Sequence, residues 1–236
     1  MFIEKFTSQR ESHFTINAER ASDFAKIVCN DFNPIHDPEN KRFCVPGDLL
    51  FAIALERYGV SEQLNIKFNG LVGANAVLIY PRASVSDKVV VDHRGRECLF
   101  FSSSGKEKAF DASVESLVMS YVRFSGHNFP DVLVPLMAEQ GVMINPTRPL
   151  IIYQSMSLEL DTLSFVSPEL DLSGSTLEIS GKRGDAHLRF DIFDRGKPIG
   201  KGVKHLILSG LRPYQQDIVD GLIKSYLKFK SGIIDL

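Results

Sequence analysis

The run Leu49-Leu50-Phe51-Ala52-Ile53-Ala54-Leu55 sets the first constraint on this chain. A helix that is apolar on every side cannot lie at a surface; it must be enclosed by the rest of the fold. Pro46-Gly47 stands at its start and Gly59 offers a natural C-terminal stop. The pattern predicts a central helix over residues 48–58, and the rest of the chain must supply its walls.

The walls read as strands. Leu64, Ile66 and Phe68 alternate with polar residues. Residues 76–80, 88–91, 98–101 and 114–122 follow as strand candidates. Arg94-Gly95 and Ser104-Gly105 are the expected hairpin tips. Upstream, residues 2–16 read as an extended lead-in. Asn17 is a good N-cap for a helix whose buried face is Ala21, Phe24, Ala25 and Val28. That helix should end near Cys29-Asn30, because Pro34 disfavours helix before it. Residues 31–38 are then a loop leaving a helix.

The order repeats. Residues 132–137 form a second apolar helical stretch, stopping at Gly141. Strands follow through Ile152, Met156, Leu158 and Leu160, through Ala186, Leu188, Phe190 and Ile192, and through residues 199–208, which a turn at 194–197 leads into. The chain closes on an amphipathic helix after Pro213, with Ile218, Val219, Leu222, Ile223, Tyr226 and Leu227 on one face. Helix then strands, twice, predicts two related halves, 1–125 and 126–236.

Composition narrows the function class. With 236 residues the chain can bury a sizeable core. A net charge of −2, with both signs scattered, gives no basic face for nucleic acid. No segment has the ~20 apolar residues of a membrane span, and residues 1–10 lack the apolar run of a signal peptide. Three cysteines, Cys29, Cys44 and Cys98, lack metal-ligand spacing and fit reduced thiols. The expectation is a cytoplasmic protein without a metal.

Candidate chemistry gathers in Asn30-Asp31-Phe32-Asn33-Pro34-Ile35-His36-Asp37-Pro38. A carboxylate, an amide and an imidazole lie close together in a loop, beside a glycine that opens a buried helix. Asp31, Asn33, Pro34 and His36 match the Asp-x-Asn-Pro-x-His signature of the MaoC-like, R-specific enoyl-CoA hydratases. The stretch Asn17–His36 resembles that family's entry helix and catalytic loop, and Ile66–Gly73 resembles its strand and turn after the central helix. The resemblance covers residues 14–80. It implies an α+β double hotdog, each half an antiparallel sheet wrapped around a central apolar helix.

The resemblance also implies roles. Asp31 and His36 would be catalytic, holding and activating the water that adds to an enoyl thioester. Asn33 would shape the loop, and the Gly47 N–H would receive the thioester carbonyl. The implied activity is a hydratase or dehydratase acting on acyl thioesters of coenzyme A or acyl carrier protein. The carrier is part of the substrate and no other cofactor is needed. Two hotdog halves form a pseudo-dimer, compatible with a monomer or a homodimer. Residues 37–46 make a shorter connection than the family's, and Pro46 stands where it often has a second His; this segment should reshape the acyl pocket.

Other readings stand beside these. Asp and Asn-Pro also make structural turns, and Gly47 also suits a tight turn. A thioesterase on the same fold and a non-catalytic acyl-thioester or lipid-binding module are the alternative functions. Asp48 reads as a first-turn residue favoured by the helix dipole. Lys41 and Arg42 read as phosphate contacts or a solvated loop. His13, His93, His187 and His205 read as surface or sheet-face residues, Cys29 and Cys44 as small buried residues. Residues 126–130 read as a vestigial second site with capping and packing roles.

Overall fold

The computed structural model describes residues 2–82 and 87–234. A 3-10 turn, Phe2–Lys5, precedes a short hairpin of β1 (Ser8–Arg10) and β2 (His13–Thr15). The lead-in is therefore a turn and a hairpin, not one extended segment. Asn17 caps α1 (Ala18–Asp23) by accepting the Arg20 N–H at 2.9 Å. The helix continues as a π turn over Phe24–Val28. Next comes α2 (Gly47–Tyr58), the expected central helix, closed at Gly59, whose φ of 74° is the left-handed conformation glycine tolerates.

The first set of walls is β3 (Val60–Phe68), β4 (Val77–Ile79), β5 (Asp87–Asp92) and β6 (Glu97–Lys108). Gly95 turns β5 into β6, as expected. Ser104-Gly105 does not: it lies inside β6, at the irregular register opposite Ser61–Gln63, and Gly105 takes a φ of 84° there. Residues 114–122, expected as a strand, are instead most of α3 (Ala112–Arg123). Val114, Leu117, Val118, Tyr121 and Val122 fall at helical spacing and are all buried, and Asp111 caps the helix through the Ser113 and Val114 N–H groups at 2.9 Å.

Two irregular turns lead from α3 to α4 (Leu133–Glu139), then β7 (Val142–Met143) and β8 (Ile151–Leu160). The chain proceeds through β9 (Pro168–Ser180), a strand beyond those expected, β10 (Arg183–Asp194), β11 (Lys197–Ser209) and β12 (Arg212–Pro213), and ends in α5 (Gln216–Ile234).

Ten strands form one antiparallel sheet in the order β1-β2-β4-β5-β6-β3-β8-β11-β10-β9, and β7 pairs with β12 separately. In the first half, helix α2 sits in the chain between β2 and β3, which flank β4-β5-β6 in the sheet. The second half repeats the sequence of pairings, with β8, β9, β10 and β11 in the places of β3, β4, β5 and β6. The halves join where β3 pairs with β8, from Gln63 opposite Glu159 to Lys67 opposite Ser155. The fold is an α+β double hotdog.

The core explains the arrangement. Leu49 to Leu55 are all buried, each large side chain contributing about 1.5–3 kcal/mol relative to exposure. Phe51 stacks on Tyr121 of α3 with ring centroids 4.2 Å apart. Tyr121 in turn meets Phe190 of β10 edge-on. α3 rather than α4 thus fills the hollow of the second half; in α4 only Leu133 and Met137 are buried.

Candidate active site

The Asp31 loop is shaped by its own polar residues. Asn30 takes a left-handed φ of 55°, which Asn tolerates. Behind it, the Asp31 N–H bonds back to the Ala25 carbonyl at 2.8 Å. Asp31 Oδ1 accepts the Asn33 N–H at 3.0 Å, an Asx turn. Asn33 Oδ1 accepts the Ile35 N–H and caps a 3-10 turn over Pro34–His36. Its Nδ2 donates to the Ile151 carbonyl at 3.1 Å, tying the loop to β8 of the other half. Gly126 presses on the loop's entrance: a Cβ there would lie 2.5 Å from the Cys29 carbonyl.

These restraints bring Asp31 and His36 together. Asp31 Oδ2 lies 3.9 Å from His36 Nε2, with 19% and 10% of the two side chains exposed. His36 Nδ1 donates to the Cys44 carbonyl at 2.7 Å, which fixes the ring. Burial raises the Asp31 carboxyl above its ordinary range, and His36 partly offsets this. Asp31, Asn33, His36 and Gly47 all line one largely apolar cavity of about 140 Å³ between the halves. Val45, Leu50, Phe68, Val72 and Ile152 supply apolar wall, and Leu222, Tyr226 and Phe229 of α5 close one side.

Two features mark Gly47. A Cβ there would come 2.9 Å from Tyr153 Cδ2 and 3.4 Å from the Phe68 ring, so glycine lets the Tyr153 ring approach the helix start. The Pro46 carbonyl takes the Leu49 and Leu50 N–H groups. The Gly47 N–H, at the first helical position, has no intrahelical acceptor.

Behind this wall lies a network that no local sequence pattern announces. Asp48 stands in the first turn of α2, as expected, but it is buried against Lys204 of β11, which is 0% exposed. Lys204 Nζ donates to Asp48 Oδ1 at 3.2 Å, the Tyr121 carbonyl at 2.8 Å and Ser125 Oγ at 2.7 Å. It also lies over the Tyr121 ring, 4.2 Å from the centroid. Burial pushes the lysine below its ordinary value, and Asp48 opposes that. Ser125 Oγ is 2.7 Å from the Tyr153 hydroxyl, which also accepts Asn128 Nδ2–H at 3.0 Å. One signal was legible: Lys204 shares an inward-facing strand side with Leu206 and Leu208, an unusual place for lysine. Its partner is too distant in sequence for any local pattern to find.

Of the other candidates, Cys44, Asn128 and Phe129 line the cavity. Lys41 and Arg42 are exposed. Cys29 and Cys44 are buried, as expected, and burial pushes the Cys44 thiol up to about 11. His13 and His93 are exposed, whereas His205 stacks on His187 and pairs with Asp185 at 2.9 Å. That carboxylate neighbour, on the outer sheet side, was not foreseen. Residues 126–130 do more than cap and pack: Asn128 and Phe129 line the cavity. No group of His, Cys, Asp and Glu suited to a metal occurs among the described residues, and no helix there is long and apolar enough to cross a membrane.

A family model described as a protein of unknown function, DUF3581, matches residues 1–217. The chain belongs to the DUF3581 family. A search of curated proteins returned no match. Similar solved structures include an acyl-CoA thioesterase II from Mycobacterium marinum, 11% identical over 91% of this chain and 100% of that one, with a TM-score of 0.43. A conserved hypothetical protein from Mycobacterium tuberculosis, described as a double hotdog, is 9% identical over 86% of this chain and 95% of its own, with a TM-score of 0.44. A MaoC-like dehydratase is 9% identical over 87% and 98%, with a TM-score of 0.40. Likeness at this level decides nothing about chemistry; the fold assignment rests on the strand order and central helix described above. The DUF3581 match ends at residue 217, so Leu222, Tyr226 and Phe229 wall the cavity from beyond the matched stretch.

Proposed function

We propose that this DUF3581 protein is a hydro-lyase, a hydratase or dehydratase acting on acyl thioesters of coenzyme A or acyl carrier protein, as the MaoC-like resemblance implies. The first half, whose strands end with β6 at Lys108, supplies the reacting pair; the expected boundary at 125 moves ahead of α3, because that helix packs into the second half. The observation that carries the proposal is the meeting of Asp31 and His36 on the wall of an apolar cavity. With Nδ1–H donating to Cys44, a neutral His36 turns the lone pair of Nε2 toward Asp31. Two acceptors 3.9 Å apart suit a water that donates one proton to each. Such a water, losing a proton to the pair, adds its oxygen to the β-carbon of an enoyl thioester. The α-carbon then takes up a proton, and dehydration is the reverse. The Gly47 N–H, at the positive end of α2, is suited to receive the charge that develops on the thioester oxygen. Asn33 holds the loop that carries both reacting groups. The thioester brings its own carrier, and the mechanism needs no cofactor or metal.

The same pair favours a second reading, a thioesterase, because a water activated between Asp31 and His36 can equally attack a thioester carbonyl. Crotonyl-CoA separates the readings. Loss of enoyl absorbance without thiol release supports the hydro-lyase. Thiol release supports the thioesterase. Binding without either change reduces the protein to an acyl-thioester carrier, and no binding removes the proposal.

A further inference from the structure

The hydrogen-bond count behind the cavity leaves one proton unassigned. Lys204, as an ammonium, has three N–H donors, and it faces three acceptors: Asp48 Oδ1, the Tyr121 carbonyl and Ser125 Oγ. All three are used. Ser125 Oγ and the Tyr153 oxygen lie 2.7 Å apart and share one hydrogen bond in which either can donate, so of their two hydroxyl protons one is left over. Tyr153 also accepts from Asn128 Nδ2. When the serine donates, both lone pairs of the phenol oxygen are occupied, and the proton left over is the phenol's. The orientation of Asn128 is consistent with this count. In this orientation its Oδ1 is buried without a partner; the opposite one would set that oxygen against the phenol as an acceptor but leave both Nδ2 donors buried and unpaired.

A buried hydroxyl with a free proton calls for an acceptor. Tyr153, Ser125 and Asn128 all line the cavity that holds Asp31 and His36. The Tyr153 ring rests on Gly47, which places the phenol on the wall beside the helix start. Burial also keeps the phenol protonated, pushing it well above its ordinary value.

We propose that the Tyr153 hydroxyl is a further catalytic group, a hydrogen-bond donor to the carbonyl oxygen of the bound acyl thioester. Ser125 and Asn128 are positioning residues: they fill the phenol's lone pairs and so aim its proton. Lys204 holds Ser125 by filling one of its two lone pairs. The ligand class follows: an acyl group whose oxygen accepts from the wall of a largely apolar pocket. This rests on the acyl-thioester reading above, and deepens it by assigning a donor from the second half.

The test uses butyryl-CoA, which lacks the double bond that hydration needs, labelled with ¹³C at its carbonyl. Binding to the wild-type protein should move the carbonyl resonance downfield, as donation to the oxygen polarises the bond. Y153F keeps the ring and removes the donor. It should shift the bound resonance back toward the free value and weaken binding by about tenfold or less, as for one hydrogen bond. With crotonyl-CoA, Y153F should lower kcat by about 10²–10³-fold, more than it changes KM. Equal carbonyl shifts and equal kcat in a folded Y153F overturn the Tyr153 assignment while leaving the Asp31–His36 reading intact. A wild-type resonance that does not move downfield on binding overturns it without any variant. Failure of the wild-type protein to bind butyryl-CoA overturns both.

Discussion

Replacing Lys204 by methionine tests the buried network most sharply. The substitution keeps much of the side-chain volume and removes a charge that is fully enclosed. It deletes the three hydrogen bonds to Asp48, Tyr121 and Ser125. It also leaves Asp48, whose side chain is 2% exposed, as a buried carboxylate without its counter-charge. Removing one member of such a pair costs about 3–5 kcal/mol. For a domain of this size each kcal/mol lowers Tm by about 2–4 °C, so the expected fall is about 6–20 °C. The D48N/K204M double variant removes both charges and should recover most of that loss, because a neutral replacement of a buried pair is often near neutral in stability. Urea unfolding of wild type, both single variants and the double variant gives the coupling. The sign with pH follows from the lowered lysine. Between its folded value and 10.5 the unfolded chain binds the extra proton, so the wild type gains stability relative to K204M as pH rises through that window. A cost below about 1 kcal/mol for K204M, or a double variant no more stable than the single, would refute the buried ion pair.

Three further outcomes follow. Asp31→Asn should raise stability at neutral pH, because burial disfavours the ionised carboxylate; the wild type loses stability as pH rises from 3.8 through the raised folded value, and melts of the two proteins across pH 4–8 check the sign. Gly47→Ala should cost about 1–3 kcal/mol through the clash with Tyr153 and Phe68, read from urea unfolding. Tyr226→Ala should loosen α5: Tyr226 packs on Phe32 and Phe129 and accepts the Phe32 N–H at 3.4 Å. The loss is about 3–5 kcal/mol of local packing, seen as faster tryptic cleavage after Lys224 and Lys228.

Local signals carried much of this structure. The all-round apolar run at 49–55 announced the enclosed helix, and Asn17, Pro34 and Gly59 marked where helices begin and end. The Asp31–His36 loop was legible because its shape is made by neighbours in sequence: Asp31 and Asn33 each bond an N–H two residues on. Residues 114–122 misled because their valines favour strands, although 114, 117, 118, 121 and 122 already followed helical spacing and Asp111 supplied a cap. Ser104-Gly105 looked like a tip, since a bulge glycine and a turn glycine share the same left-handed preference. The Lys204–Ser125–Tyr153 chain was out of reach for a different reason. Its members come from β11, the turn after α3, and β8, and only the packing of both halves makes them neighbours.

The central claim is that Asp31 and His36 together activate water against an acyl thioester. Hydration of crotonyl-CoA, followed by enoyl absorbance for wild type, Asp31→Asn and His36→Ala, tests it directly. The account predicts measurable hydration by the wild type and a fall of about 10²–10⁴-fold in each variant, as for loss of general acid–base catalysis, with the fold retained. Undiminished hydration by either variant, or a wild-type protein that binds no acyl thioester, would contradict it.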